Sequence, residues 1–522
     1  MRAVSTWTAD WSCSVSSNLF AWLVFGTYLV VTTGLAIRGM RQTKDLAGFA
    51  IGGGAMGPAL VGVTLAASVA STATFVINPG FVYDAGLAAL VHFGVAGYGG
   101  VIFGLLVLSK GFRRVGSEVR ALTLPHWVGA RYESPALRTY FALLNLVLAI
   151  TFCVLIIKGS ALVMQHTLGL SYSTSVIVIV LFVFTYILIG GTFAHAYTNA
   201  LQGTIMAVVA LLVFSSGLPL LFGAEGPFMA QLAAQDPNLV DVVNSSSPLF
   251  GSYWQVFACG FIVSYGLVCQ PHILTKSLYL RSDREHTRYL VVAGVVGTAF
   301  TLMLVVGLWA RIMYPDIPTQ DAVIAVYIAK TFSPYIGAFV SVALLAAGMS
   351  TMDGLLVSAS TIAGNDLFLG GLGDRLMPRA SGAEREAAAL RASRIIIVVM
   401  GVGAFLLAID PPELVGLFAQ MGVYGVVCAS VVPMTFGILA QSPSRMGVTV
   451  AAVSGPAVHF LHYGFVFYGL GQFINPAVTA TEGILTSIAV YGLVTALERR
   501  ARATSLPGSP APRPAPVDPS SD

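Results

Sequence analysis

Apolar residues run almost the whole length of this chain in stretches of 18 or more, separated by short polar segments. A helix that crosses a bilayer needs about 20 such residues. Thirteen segments qualify, roughly 18–37, 51–77, 86–109, 139–165, 173–190, 198–222, 252–271, 289–312, 335–362, 393–409, 412–439, 447–469 and 475–497. Backbone groups in lipid must be satisfied within the segment, so helices are the expected form. The pattern predicts an all-α polytopic membrane protein with about 13 transmembrane helices and no soluble domain. The outer loop 223–251 and the inner loop 366–392 are expected to hold short surface helices.

Composition narrows the class further. Of 522 residues, 56% are hydrophobic and only 10% charged, against about a quarter charged in a soluble protein. Length alone would suggest three or four soluble domains, but that much apolar surface at that charge density excludes a soluble enzyme, a disordered protein and a nucleic-acid binder. Five cysteines (Cys13, Cys153, Cys259, Cys269, Cys428) show neither a disulfide framework nor zinc-ligand spacing. The N-terminus has no clear cleavage site and is read as retained.

Charge then chooses a side. Of 27 Lys and Arg residues, 23 fall in alternate loops and the C-terminal tail, Lys276 among them. Arg2, Arg311 and Lys330 lie opposite, and Lys158 falls inside a span. By the positive-inside rule the N-terminus is outside and the C-terminus cytoplasmic. The expected location is the plasma (inner) membrane, multi-pass. The Pro- and Ser-rich tail from Leu506 is expected to be disordered.

Polar chemistry enters the membrane at a few places. In the second span Ala67–Thr74 is nearly all Ala, Ser and Thr. It reads either as a small-residue packing face or as a discontinuous helix whose freed carbonyls face a cavity. In the ninth span Ser350 and Thr351 adjoin Gly348 and Gly354, and the Ala347 carbonyl lies one turn before Ser350. Hydroxyls and carbonyls together suit a hard cation, although such hydroxyls also bond back to their own helix. Asp353, one turn on, is either a coupling or proton-carrying group or the lining of an inner vestibule. The seventh span is interrupted at Ser264, Gly266 and Pro271, as a broken helix or a simple proline kink. Lys158 either holds a substrate carboxylate or snorkels outward. His195, between the fifth and sixth spans, either relays protons or is solvated.

These segments resemble the sodium:solute symporter family over about residues 18–497. The resemblance rests on QPHIL at Gln270–Leu274, AAGMST at Ala346–Thr351 with the later SAS and NDL, and the GG…A…TN..Q pattern at Gly190–Gln202. TATFVINPGFVYDAG at Thr72–Gly86 and DPPEL at Asp410–Leu414 add to it. It implies a core of two inverted five-helix repeats, the LeuT-like fold. Residues 1–17 would then be an extracytoplasmic N-terminus and 18–50 an extra span with its cytoplasmic loop. Residues 51–222 would form the first repeat, 252–439 the second, 440–500 two C-terminal spans and 501–522 the tail.

By the same resemblance, sodium is the coupling ion. It would be held by the carbonyls of Ala67, Ala70 and Ala347 and the hydroxyls of Ser350 and Thr351. Ser68, Ser71, Thr72, Tyr265 and Lys158 are the candidate solute contacts. The implied activity is sodium-coupled uptake of a small organic solute by alternating access, with a monocarboxylate or pantothenate-like carboxylate favoured. A proton-coupled symporter of the same fold, a proline-like amino-acid symporter and a non-transporting sensor are the alternatives. No enzymatic activity, nucleic acid or obligate protein partner is expected; the partners are the solute and the bilayer. Several relatives carry Asp where this chain has Asn199, which puts a second sodium at that place in doubt.

Overall fold

The computed structural model describes residues 15–222, 226–411 and 415–505. Among the described residues there is no strand, only one isolated bridge between Met56 and Leu280. Ten helices are long and apolar enough to cross a membrane. They are α1 (Leu19–Met40), α3 (Leu87–Glu118), α4 (Pro135–Gln165), α6 (Gly190–Phe222), α8 (Asp283–Met313), α9 (Pro334–Leu376), α10 (Gly382–Ile409), α11 (Gly416–Leu439), α12 (Arg445–Gly469) and α13 (Pro476–Ala501). Two more crossings are bent pairs: α2 (Pro58–Val69 with Ala73–Ala85, 57°) and α7 (Trp254–Leu267 with Pro271–Tyr279, 65°). The shorter apolar helix α5 (Tyr172–Leu188) occupies the remaining predicted span.

Both bends have local causes. The first leg of α2 starts on Pro58 and stops at Ala70, whose backbone is extended (φ −85°, ψ 95°). Ala, Ser and Thr around the break offer no bulk that would need helical packing. Pro79 lacks an N–H and crowds the carbonyl one turn back, and Ala73–Ile77 widens into a π turn there. In α7 the residue before Pro271 is forced extended, and Gln270 has ψ 143°. The interruption is therefore a true break, not a kink. The segment leading into α2 meets the end of α7: Met56 N–H donates to the Tyr279 carbonyl at 2.9 Å.

α5 and α6 are divided at Gly191 (φ 57°, ψ −150°), a conformation open to glycine, and a Cβ there would strike the Phe49 ring. α6 thus begins eight residues earlier than the sixth predicted span, and His195, Thr198 and Asn199 lie within a helix. α9 is the central rod. The most apolar part of it is buried throughout, whereas α1 and α6 are largely exposed along theirs. Large apolar side chains such as Leu106, Val147, Leu181, Val295 and Leu406 cover the outside, as lipid requires. The loop predicted to be outer holds a short helix, Phe228–Gln235. At the loop predicted to be inner, α9 runs on to Leu376, and a capping box at Ser381 and Glu384 starts α10 at Gly382, so little of that loop remains. Residues 1–14 and 506–522, and Pro412, Glu413 and Leu414 of the DPPEL motif, lie outside the described residues.

Candidate functional site

The break in α2 frees carbonyls, and α9 supplies hydroxyls to meet them. The last backbone bond of the first leg runs from Ala70 N–H to Ala66 O at 2.9 Å. Beyond the break, bonding resumes with Thr74 N–H to Ser71 O at 3.0 Å. Ser350 Oγ lies 2.7 Å from the Ala67 carbonyl oxygen and 2.9 Å from that of Ala347. Thr351 Oγ1 donates to the Ser68 carbonyl at 3.2 Å. Ala67, Ser68, Ala347, Ser350 and Thr351 are all buried. The two clusters found in the sequence are thus one place. Thr351 meets Ser68 rather than Ala70, whose carbonyl accepts no hydrogen bond among the described residues. Asn199 fastens the two helices, donating from Nδ2 to Ser68 Oγ and to the Ser350 carbonyl, each at 3.0 Å.

A cavity of about 150 Å³ opens beside the break. Ser68, Ser71, Thr74 and Asn78 at α2, His92 of α3, Ser264, Gln270 and His272 at α7, and Gln420 and Tyr424 of α11 supply its polar wall. Phe93, Phe152, Leu155 and Val263 are among its apolar lining. No Lys, Arg, Asp or Glu is among the lining residues. A carboxylate placed there would have to be met by hydroxyls, amides, the N–H groups that begin the second leg of α2, or a bound cation. Ser71 Oγ already caps that leg by accepting from Ala73 N–H at 3.1 Å.

The other predicted contacts separate. Thr72 is buried behind the cavity wall, wedged between Gly159 and Gly348, and its Oγ1 has no hydrogen-bond partner. Tyr265 turns away from the cavity to a hydrogen bond with Thr435 Oγ1 at 2.7 Å. Lys158 neither enters the cavity nor reaches open water; its ammonium is 3.6 Å from Asp321 Oδ2, with both side chains mostly covered. Asp353 is fully buried, accepting from Tyr186 OH and, at 3.1 Å, from Thr198 Oγ1. It lines no open vestibule.

Two residues were misplaced by sequence reasoning. His195 is fully buried, not solvated, and Lys276, counted with the cytoplasmic cations, is fully buried too. Lys276 Nζ lies 2.6 Å from His195 Nε2 and 5.6 Å from the Tyr279 ring centroid. The available signal was Pro271: a broken helix turns its second leg inward, taking Lys276 with it.

The geometry now meets what known proteins offer for comparison. The family model described as Sodium:solute symporter family matches residues 49–455. The chain is 25% identical over 448 residues to a sodium/pantothenate symporter of Haemophilus influenzae, covering 83% of this chain and 88% of that protein. It is 25% identical over 483 residues to a sodium/proline symporter of Escherichia coli, covering 88% and 91%. Among solved structures it resembles a substrate-bound, outward-open Na+-coupled sialic acid symporter, with a TM-score of 0.72 at 17% identity, covering 92% of this chain and 98% of that one. That likeness carries the fold, the LeuT-like core of inverted repeats. With most of its length matched, the chain belongs to the sodium:solute symporter family and is a multi-pass, sodium-coupled solute symporter.

Proposed function

We propose that the protein takes up a small organic carboxylate, pantothenate-like or a monocarboxylate, together with sodium bound between α2 and α9. The ion is held by the carbonyls of Ala67, Ala70 and Ala347 and the hydroxyls of Ser350 and Thr351. The observation that carries this reading is the convergence of Ser350 Oγ on the Ala67 and Ala347 carbonyl oxygens, at 2.7 and 2.9 Å. Carbonyl and hydroxyl oxygens of this kind are what a hard cation selects, over the Met206 sulfur that lies 4.0 Å from Ser350 Oγ. Ser68 and Ser71 line the cavity at the same break, with Thr72 behind them, where a solute carboxylate would face both the ion and the N–H groups of the second leg. The pantothenate substrate in the name of the Haemophilus influenzae relative supports this arrangement. The first repeat spans 51–222 and the second 252–439, with the N-terminus outside the plasma (inner) membrane and the C-terminus in the cytoplasm.

The energetics fit one ion. A sodium crossing about 100 mV gains roughly 2.3 kcal/mol, and a tenfold gradient adds about 1.4 kcal/mol. Together they drive several-hundred-fold accumulation of a zwitterion, but only about tenfold accumulation of a monoanion, whose charge cancels that of the ion. A monoanion is therefore carried usefully where metabolism consumes it after entry.

The test is uptake into proteoliposomes of labelled pantothenate, pyruvate and proline, with sodium or choline outside at fixed pH. Sodium-dependent uptake of either carboxylate, weakened in sodium response by Ser350→Ala and Thr351→Ala, is the expected result. Uptake indifferent to sodium, or wild-type sodium activation in both variants, would overturn the assignment. Proline uptake alone would replace the solute and leave the ion.

A further inference from the structure

Four ionisable side chains that the sodium reading does not use are buried together: Lys276 and His272 on the second leg of α7, His195 on α6 and Asp353 on α9. They meet around Gly354. A Cβ at Gly354 would stand 3.4 Å from His195 Cε1, 3.4 Å from His272 Cβ and 3.5 Å from Ser68 Oγ. Lys276 Nζ is 2.6 Å from His195 Nε2. Thr198 Oγ1 lies 3.1 Å from Asp353 Oδ2 and 3.2 Å from the His195 carbonyl oxygen. Neither the ammonium nor the carboxylate has an ion-pair partner within 4.0 Å among the described residues.

An isolated charge in so dry a place is costly, and opposite charges in low dielectric attract well beyond contact distance. Two amide oxygens in the same cluster, Asn199 Oδ1 and Gln202 Oε1, are buried without a hydrogen-bond partner. Gln202 follows Thr198 by one turn on the same face of α6. With the Asp353 carboxylate and the Thr198 hydroxyl, these are the oxygens a hard cation would take. The cluster is joined to the sodium site through Asn199, which holds Ser68 and Ser350.

We propose that Lys276, held by His195, is a tethered cation of the coupling machinery, balancing Asp353 so that the protein binds a single mobile sodium ion. This rests on the sodium reading above and adds the count of ions to it. Lys276 is a positioning residue here; it touches neither the ion nor the solute.

The experiment is equilibrium binding of radiosodium to the purified full-length protein in nanodiscs, with choline keeping ionic strength constant. About one ion per chain is expected in the wild type and in Lys276→Arg, and about two in Lys276→Met, whose uncompensated carboxylate recruits the second. The double variant Lys276→Met/Asp353→Asn should return to one ion and melt higher than either single variant. One ion in a folded Lys276→Met, or two already in the wild type, would overturn the proposal. Should Lys276→Met not fold, a double variant melting no higher than Asp353→Asn alone would overturn it equally. Ser350→Ala separates the two readings. Loss of the wild-type ion there upholds the site between α2 and α9, and its retention sinks that site without altering the ion count that Lys276 controls.

Discussion

At the residue scale Ser350 faces two carbonyl oxygens, those of Ala67 and Ala347, from helices that are distant in sequence. Ser350 and Ala67 are 283 positions apart, so this contact is made only once the chain has folded. Removing one oxygen from a small cation shell costs about 1.5–3 kcal/mol, by analogy with a hydrogen bond to a charged group. We therefore expect Ser350→Ala to raise the sodium concentration for half-maximal uptake by about tenfold or more, with a smaller change in solute affinity at saturating sodium. A sodium titration of uptake rates measures both. Gly348 makes the opposite case, where nothing can be added. A Cβ there would collide with Ser160 Oγ and sit 2.7 Å from Thr72 Oγ1. Gly348→Ala should lower stability by about 1–3 kcal/mol through overpacking, seen as a lower melting temperature in detergent.

At the scale of elements, what matters is how broken and unbroken helices are held against each other. α9 is tied to α4 toward its C-terminal end by Arg138, whose Nε is 2.7 Å from Asp366 Oδ1 and whose Nη2 donates to the Asn365 carbonyl at 2.7 Å. Thr123 Oγ1 donates to the other carboxylate oxygen at 2.6 Å. The Asp366 side chain is wholly buried. Arg138→Met would leave that carboxylate without its cation, at a cost of about 3–5 kcal/mol. The double variant Arg138→Met/Asp366→Asn should recover much of the loss, and a double-mutant cycle of thermal melts checks it. Gly191 sets the junction of α5 and α6. Gly191→Ala needs a positive φ and displaces Phe49. It should cost at least about 1 kcal/mol and reduce the yield of folded protein.

The whole molecule brings together what its parts only offer. Thirteen apolar segments were legible because twenty consecutive apolar residues have few other uses. The clusters in α2 and α9 were legible as runs of small and hydroxylated residues, but whether they pack or open a site was decided only by their meeting. Lys276 and His195 were not. Their neighbours in sequence look like loop, and a helix break that folds a lysine inward is a tertiary event. Tyr265 shows the same limit: its position on α7 was visible, but not the direction of its ring, which packing against Thr435 decides. Transport is a property at this scale as well. If one sodium carries the drive, collapsing the membrane potential with an ionophore at a fixed tenfold sodium gradient should reduce accumulation of a neutral or zwitterionic solute from several-hundred-fold to about tenfold. Accumulation of a monoanion should change little, and measuring both in proteoliposomes distinguishes the charge of the solute.

Local chemistry, then, determined the helices, their number, the places where two of them break, and the residue types from which a cation site could be made. These follow from hydrophobic length, proline geometry and small side chains, which act over a few residues. Which carbonyl each hydroxyl meets, which charges are sealed away and which wall of the cavity each helix supplies were decided by the tertiary structure. Those contacts join segments hundreds of residues apart, and their energy exists only when the whole bundle has closed around them.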